Sequence, residues 1–272
     1  MQEATNIDIL KLYFGDPYPI TDKITIYQPT IQDIIDYGEN AFFAMLYVFI
    51  GNTTYRRLEL WENGCDWNKI TDYELFCRLV SLLPPEQTGI LFGDLDFTKF
   101  KLMPTGVEID EPEPEGKQTA TEKRKRYFRL FEASVTFKDE EHDIEINAAT
   151  YHHLVDVLRE MVNIFPKTEY TVGKTSKEII IEEERTKLAK FTSENDGRSS
   201  SILQPWISSC VNHPGFKYRK DELRKIQINE FMDSVKRLQV YESTHALLGG
   251  AYSGFMDSSK IPNENFDFMR RI

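Results

Sequence analysis

Residues 23–50, KITIYQPTIQDIIDYGENAFFAMLYVFI, predict a short strand, a sharp corner and a long apolar helical segment. Ile24 and Ile26 alternate with polar residues, which is typical of a half-buried strand. Pro29 cannot donate to a sheet ladder, and it favours extended geometry at the residue before it. We therefore expect the strand to end at this proline and a helix to begin directly after it.

Thr30 is suited to cap that helix, because Asp33 follows three residues later and completes a capping-box pattern. Apolar residues then recur at helical spacing. They are Ile31, Ile34, Ile35, Phe42, Leu46 and Phe49. Gly38 interrupts the pattern, since glycine costs about 1 kcal/mol relative to alanine inside a helix. The sequence leaves open a kinked helix or two helices, and either a core role or a partner-binding groove for this segment.

The composition indicates a globular protein with an acidic surface. The chain has 272 residues, of which 40% are hydrophobic and 12% aromatic, and its formal net charge is −11. This charge disfavours nucleic acid as the main partner, because phosphate binding requires a basic field. The charge is uneven: residues 1–89 carry 6 basic and 13 acidic side chains, whereas residues 181–272 carry 14 and 13. The C-terminal third is therefore the better candidate to meet an acidic partner.

Cysteine use and hydropathy predict a protein of the cytoplasm. Three widely separated cysteines, Cys65, Cys77 and Cys210, suggest a reducing compartment and no disulfide framework. The first residues, MQEATNID, lack the basic and apolar regions of a signal peptide. The apolar run at residues 41–50 is too short for a membrane span, which needs about 20 residues. We expect no membrane association.

The remaining patterns predict an α+β fold that is mainly helical and carries a small β-rich inserted subdomain. Strands are predicted at 9–14, 90–103, 127–137 and 143–146, and a loop is predicted at 107–125. Helices are predicted at 54–62, 71–82, 147–164, 176–191, 202–212 and 223–241, with a linker at 192–201. These elements divide the chain into three predicted parts. The first, 1–88, contains the strand and helix described above; the second, 89–175, is an insert closed by one helix; and the third, 176–272, is helical. We expect the first and last parts to pack together.

Two sequence features resemble catalytic motifs but lack essential members. Gly173-Lys174-Thr175 resembles the end of a phosphate-binding loop, yet Thr168 stands where that motif requires a glycine. Cys210 and His213 are three residues apart, but a nucleophilic thiol also needs a third group that orients the base. We therefore expect no nucleotide cofactor and no thiol catalysis.

Several clusters of titratable residues have spacings that metal or hydrolytic sites also use. They are Asp94 with Asp96, Asp143 with Glu145, and His152 and His153 with Asp156. Solvent-facing strands and helices of an acidic protein show the same spacings. We expect these side chains to be structural, with no catalytic residue, no cofactor and no bound metal, so that the protein is not an enzyme.

A basic run at residues 123–126, KRKR, precedes Tyr127 and Phe128. Basic groups beside aromatic rings can bind a phosphate backbone and stack on bases. The preceding Glu-Pro tract opposes this, and a solvated loop is the preferred interpretation.

Two stretches resemble proteins from the tail-gene region of phages and prophages of Gram-positive bacteria. The first is KLYFGDPYPITDKITIYQPTIQDIIDYGE at 11–39, and the second is INEFMDSVKRLQ at 228–239 with the GGAYSGFMD that follows at 249–257. The resemblance is to tail assembly chaperones or related morphogenesis proteins. It implies a non-enzymatic helical protein of the host cytoplasm that holds the tape-measure protein or other tail proteins during virion assembly. The segment 90–170 takes no part in the resemblance.

Aromatic and methionine side chains in the C-terminal region are the predicted partner-binding residues, because these residue types dominate interface energetics. They are Trp206, Phe231, Met232, Tyr252 and Phe255. The alternatives are a permanent virion component, such as a neck, connector or baseplate protein, and a metal-dependent hydrolase. Self-association into a homo-oligomer is a further possibility that the sequence leaves open.

Overall fold

A computed structural model describes residues 7–106, 119–195, 201–254 and 257–270. It is about 59% helical and contains two small antiparallel sheets in this part of the chain. The predicted class, α+β and mainly helical, is therefore confirmed.

Eleven α-helices occur in the described residues. They are α1 Ile9–Tyr13, α2 Ile31–Tyr37, α3 Glu39–Ile50, α4 Arg57–Glu62, α5 Asp72–Val80, α6 Pro85–Phe92, α7 Ala120–Ser134, α8 Ala148–Val162, α9 Lys174–Asn195, α10 Leu203–Val211 and α11 Ile228–Tyr252. Short 3-10 helices occupy Phe97–Lys99, Leu223–Lys225, Ser258–Lys260 and Asn263–Phe266.

The strands form one hairpin and one three-stranded sheet. They are β1 Tyr18–Thr21, β2 Ile24–Ile26, β3 Lys101–Pro104, β4 Val135–Asp139 and β5 Ile144–Ile146. β1 pairs with β2, with Tyr18 opposite Ile26 and an irregularity between Pro19 and Thr21. The second sheet has the order β3-β4-β5, and all of its neighbours are antiparallel.

The stretch at 23–50 forms a strand followed by two helices. Thr30 and Asp33 make the complete capping box at the start of α2. Gly38 ends α2 and precedes α3 with φ of 96°, a conformation that glycine adopts without steric cost. The two-helix alternative is therefore the one that the protein adopts. Most of the predicted apolar positions are buried, whereas Ile35 is 45% exposed.

The corner between β2 and α2 is bonded to the start of α11. The N–H of Ile31 donates to the carbonyl oxygen of Ile226 at 3.0 Å, and the N–H of Ile228 donates to that of Pro29 at 2.9 Å. Backbone groups that a proline-containing corner would otherwise leave unpaired are thus satisfied by the last third of the chain. The first and last thirds consequently meet at this junction.

One hydrophobic cluster contains side chains from all three predicted parts. Phe49 packs edge-on against Phe76 and Phe97, and Phe76 in turn contacts Phe137 and Tyr151. Aromatic rings in such offset and edge-on pairs bury large apolar areas. The boundaries predicted at 88 and 176 therefore do not coincide with a boundary of the core.

The prediction of a strand at 9–14 is wrong, because these residues form α1. The side chain of Asp8 accepts a hydrogen bond from the N–H of Lys11 at 3.1 Å and caps the helix, while Leu12 points into the core. The strand β2 pairs with β1. An apolar hexapeptide fits a short helix and a strand equally well by periodicity, and here the cap determines the outcome.

Two further strand predictions are wrong in part. Residues 90–103 contain the end of α6, a 3-10 turn and then β3, so only the last residues are a strand. Residues 127–134 belong to α7, which begins with a capping box formed by Thr119 and Glu122; the strand β4 starts at Val135. The predicted insert thus contains α7 as well as α8. Of the predicted loop at 107–125, residues 107–118 lie outside the described residues, and the remainder is the start of α7.

The other helical predictions are confirmed with shifted ends. Asn147 caps α8, Thr71 caps α5, and Asn63 ends α4 as expected. α9 runs to Asn195 and so includes the first residues of the predicted linker, of which 196–200 lie outside the described residues. α11 begins later than predicted and extends to Tyr252, and it therefore contains the Gly249-Gly250 pair.

Candidate functional site

Helix α1 presents large apolar side chains to solvent. Leu10 is 68% exposed and Phe14, directly after the helix, is 73% exposed; Ile9 and Tyr13 are more than two-fifths exposed. Singly exposed apolar residues are common, but several on one short helix form a patch of the kind found at interaction sites. A strand at 9–14 would place neighbouring side chains on opposite faces, so the predicted strand does not indicate this patch.

The position of α1 is fixed by two glutamine side chains. Gln28 Nε2 donates to the carbonyl oxygen of Leu12 at 2.8 Å, and Gln227 Nε2 donates to that of Gly15 at 2.9 Å. Gln28 belongs to the corner before α2, and Gln227 is the N-cap residue of α11. The end of α1 is therefore held on the same junction that joins the first and last thirds of the chain.

A cavity of about 120 Å³ lies between α1, the end of α8 and the first half of α11. Its lining combines apolar residues of α1 with polar residues of the other two helices. These residues are Ile9, Leu12, Tyr13, Glu160, Asn163, Asn229, Asp233 and Arg237.

Two asparagines line this cavity at the C-terminal end of α8. Asn163 ends α8 in the left-handed conformation, with φ of 51°. Asn229 Nδ2 donates to the carbonyl oxygens of Glu160 and Met161 at 3.3 and 3.1 Å, and so satisfies groups that a helix end leaves unpaired. The cavity is thus built against the C-terminal end of α8.

The two charged residues of α11 in the cavity differ in their contacts. Arg237 Nη1 donates to the carbonyl oxygens of Phe268 and Arg270 at 3.3 and 2.8 Å. Within the described residues, the carboxylate of Asp233 makes no hydrogen bond and no ion pair. Burial raises the pKa of Asp233, while the positive charge of Arg237 opposes that rise.

The end of the C-terminal segment 257–270 contacts the middle of α11, between Arg237 and Thr244. Arg270 Nη1 donates to Thr244 Oγ1 at 3.2 Å and to the carbonyl oxygen of Asn265 at 3.0 Å, and Thr244 is fully buried beneath it. The ring of Phe268 stands edge-on to Tyr241 at 6.3 Å. Phe268 is half exposed, and the neighbouring Met269 is 72% exposed.

These elements form one candidate site, which we call the α1–α11 surface. It groups the exposed apolar side chains of α1 with Tyr241 on α11 and the end of the C-terminal segment. Arg237 links the two groups, because it lines the cavity beside α1 and donates to the carbonyl oxygen of Phe268. The residues of this surface are Ile9, Leu10, Tyr13, Phe14, Tyr241, Phe268 and Met269. An apolar surface beside a small polar cavity is suited to binding a macromolecule.

The predicted partner-binding residues occupy very different places. Phe231 is fully buried and Met232 nearly so, because both lie on the face of α11 that packs into the core; they belong to no exposed surface. Trp206 is half-buried against the core. Tyr252 is 86% exposed at the end of α11, and Phe255 lies outside the described residues.

Cys210 and His213 are not arranged as a catalytic pair. Cys210 is buried, and burial raises the pKa of its thiol. His213 Nδ1 accepts a hydrogen bond from the N–H of Gly215 at 3.0 Å, and Nε2 contacts Glu242 Oε1 at 2.9 Å. Both ring nitrogens are therefore used to hold the turn after α10 against α11.

Three of the four acidic side chains have structural contacts, and the ring of His153 stands edge-on to Tyr18. Asp96 Oδ1 accepts from Thr98 and caps a 3-10 turn, Asp143 pairs with Lys138 at 3.0 Å, and Glu145 accepts from Thr136. Burial lowers the pKa of His153. Among the described residues, no group of three His, Cys, Asp or Glu side chains is placed to hold a metal ion.

The basic run lies on α7, and its second member is engaged within the chain. The guanidinium of Arg124 lies over the rings of Phe128 and Tyr170, at 4.2 and 4.7 Å from their centroids, and Nε donates to the carbonyl oxygen of Asn68 at 2.9 Å. Phe128 is thus occupied by an intramolecular cation–π contact. Lys174 of the Gly-Lys-Thr sequence is exposed at the start of α9.

A search of protein-family models, curated proteins and solved structures finds no match to this chain. None of the described helices combines the length and the hydropathy that crossing a membrane requires.

Proposed function

We propose that the chain acts by binding another protein through the α1–α11 surface, as an assembly protein of a phage tail module. The observation that carries the proposal is the exposure of Leu10 and Phe14 on a helix whose position is fixed by the fold. Because the backbone of α1 is already held in place, little entropy is lost in ordering it when a partner covers its apolar side chains.

The resembling stretches contribute part of the surface and part of the cavity beside it. The segments 11–39 and 228–239, which resemble tail-module proteins, are separated by most of the chain. In the fold they meet at the corner of α2, and they supply Tyr13, Phe14, Asp233 and Arg237 to the site. This convergence supports a role in which the resembling stretches bind a tape-measure protein or another tail protein.

The chemistry of the surface fits a protein that holds an apolar partner. Met269, Phe14 and Tyr13 are large, and methionine adapts its shape to different partners. Tail assembly chaperones need such adaptable surfaces because they hold an aggregation-prone chain before it is packed. A permanent virion component is distinguished by finding the polypeptide in purified particles.

The test is capture of the purified tape-measure protein, and of each other purified tail protein of the same module, by surface variants of the full chain. Leu10→Ser removes an exposed leucine of α1, and Leu82→Ser removes an equally exposed leucine after α5 as the matched control. We expect Leu10→Ser to weaken binding of one of these proteins at least tenfold, with an unchanged melting temperature. Equal binding by both variants contradicts the proposal.

Substitutions are preferable to truncations for this test. A truncation that ends near Ser200 would remove Ile228 and Phe231, which are fully buried. Loss of binding by such a truncation would then reflect loss of the fold.

A further inference from the structure

The carboxylate of Asp233 is the feature of the cavity that the proposed function does not explain. It lies in the cavity wall on the first half of α11, and within the described residues it has neither a hydrogen bond nor an ion pair. The burial of this carboxylate is partial and its oxygens keep contact with solvent, but no hydrogen bond or ion pair offsets the desolvation that it does undergo. A ligand that pairs with this carboxylate would give it the partner that it lacks.

The charged neighbours of Asp233 are directed elsewhere. Arg237 donates to the carbonyl oxygens of the C-terminal segment, as described above. Lys217 pairs with Glu230 at 3.5 Å, and Tyr218 also donates to that glutamate. The three charged groups that act on Asp233 through space, Arg237, Lys217 and Glu230, thus leave its oxygens available to a further cation.

The end of helix α8 beside the cavity also favours a positively charged ligand. α8 ends at Val162, and the C-terminal end of a helix carries partial negative charge. Asn229 covers two of its last carbonyl groups without neutralising them. The carboxylate of Asp233 and this helix end therefore favour a positively charged group, while the charges of Arg237 and Lys217 oppose it.

The size of the cavity limits what that group can be. Sites for drug-sized ligands occupy about 300–1,000 Å³, whereas this cavity has about 120 Å³. It is large enough for the end of one long side chain. Ile9 and Tyr13 form a half-exposed apolar rim, and the methylene groups of lysine and arginine pack well on such surfaces.

We propose that the cavity binds one lysine or arginine side chain of the partner protein, with its charged end at Asp233 and its methylene groups against Ile9 and Tyr13. This inference rests on the proposed function, because it takes the ligand to be part of a protein bound at the α1–α11 surface. It adds the chemical class that the partner must present: a basic residue flanked by apolar ones.

The experiment uses two blocked pentapeptides, acetyl-Leu-Ala-Lys-Ala-Leu-amide and the same peptide with norleucine in place of lysine. Binding to the full chain is followed by NMR shifts of the amides of Ile9 and Asp233. We expect saturable binding of the lysine peptide and at least tenfold weaker binding of the norleucine peptide. Asp233→Asn should abolish this difference, while Asp233→Glu should keep part of it.

Asp94→Asn is the matched control, because it removes the same charge from an exposed site in the loop after α6. It should leave the peptide preference unchanged. Asp233→Asn should not lower the melting temperature, since it removes a charge that has no partner. A loss of peptide binding in that variant is then not a loss of fold.

Three results would overturn the inference: equal binding of the two peptides, a lysine preference that survives in Asp233→Asn, or no binding of either peptide at millimolar concentration. Self-association that Asp233→Asn abolishes would also overturn it, because the occupant would then be a second copy of the chain. The proposed function fails separately, by equal capture of tail proteins by Leu10→Ser and Leu82→Ser.

Discussion

The carbonyl oxygen of Pro29 accepts a hydrogen bond from the N–H of Ile228 at 2.9 Å, and this bond joins the strand–helix corner to the start of α11. Ile31 and Ile226 make the reciprocal bond on the other side of Gln227. Gln227 is thereby placed so that its side chain reaches Gly15 at the end of α1. The junction thus determines where α1 lies, and with it the geometry of the α1–α11 surface.

Gly15→Ala should destabilise the protein through this junction. Gly15 has φ of +77°, and an added Cβ would lie 1.2 Å from Oε1 of Gln227. The variant must displace the glutamine and lose its hydrogen bond, and it also strains the backbone. We expect a loss of about 1–3 kcal/mol in the free energy of unfolding, measured by urea denaturation.

Gly64→Ala is the control for backbone strain alone, because Gly64 has φ of +73° and its added Cβ would meet no atom within 4 Å. Gly15→Ala should cost more than Gly64→Ala. In a Gln227→Ala background the extra cost should largely disappear. Equal costs of the two alanine substitutions would show that Gln227 does not hold α1.

Phe231 and Tyr252 lie on the same helix, but replacing each by alanine should change the free energy of unfolding by very different amounts. Phe231→Ala opens a cavity in the core and should lower the free energy of unfolding by about 3–5 kcal/mol. Tyr252→Ala removes an exposed ring and should change it by less than about 0.5 kcal/mol. Urea denaturation measures both, and similar effects of the two would contradict the assignment of Phe231 to the core.

Arg57→Gln should make the stability of the protein less dependent on pH in the acidic range. Arg57 Nη1 bonds Glu169 Oε2 at 2.7 Å, and Nε bonds Glu184 Oε1 at 2.6 Å, which ties α4 to α9. The hydrogen bond from Arg57 lowers the pKa of Glu169 below its ordinary value of 4.5. This contribution is fully present above that ordinary value and is lost as the pH falls through the lowered pKa.

The melting temperatures of the native protein and Arg57→Gln should therefore differ most near neutral pH. The difference should shrink as the pH falls below 4.5 and through the lowered pKa of Glu169. Arg56→Gln is the control, because Arg56 pairs with Glu59 within the first turn of α4 and not with α9. A constant difference for Arg57→Gln across this range would mean that its ion pairs do not stabilise the fold.

The elements that could be predicted from sequence are those with a complete local signal. Thr30 with Asp33, and Asn147 before α8, have cap side chains that bond the first turn of their own helix, so three or four residues suffice to locate the start. The buried residues of α2, α3 and α8 follow from the same helical spacing.

The errors have a common physical cause. The segments at 9–14 and 127–134 are rich in apolar and aromatic residues that suit both helices and strands. Their helical state is set by Asp8 and by the pair Thr119 and Glu122, which stand outside the apolar runs. Bonds between distant residues, such as that of Pro29 with Ile228, have no local signature.

Two of the side chains predicted to bind a partner are buried on the core face of α11. Phe231 and Met232 lie on the helical stripe of α11, and such a stripe normally packs into the core. Asp233 and Arg237 lie beside that stripe and reach the cavity. Their role depends on α1 being a helix, which the sequence-based interpretation had excluded.

Hydrogen–deuterium exchange of the full chain, alone and with the tail protein that it captures, tests the central claim most directly. We expect slower exchange with the partner at residues 9–14 and 228–241, and no change in α5 or α7. Protection confined to α7 or α9, with α1 exchanging as in the free protein, would contradict the assignment of function to the α1–α11 surface.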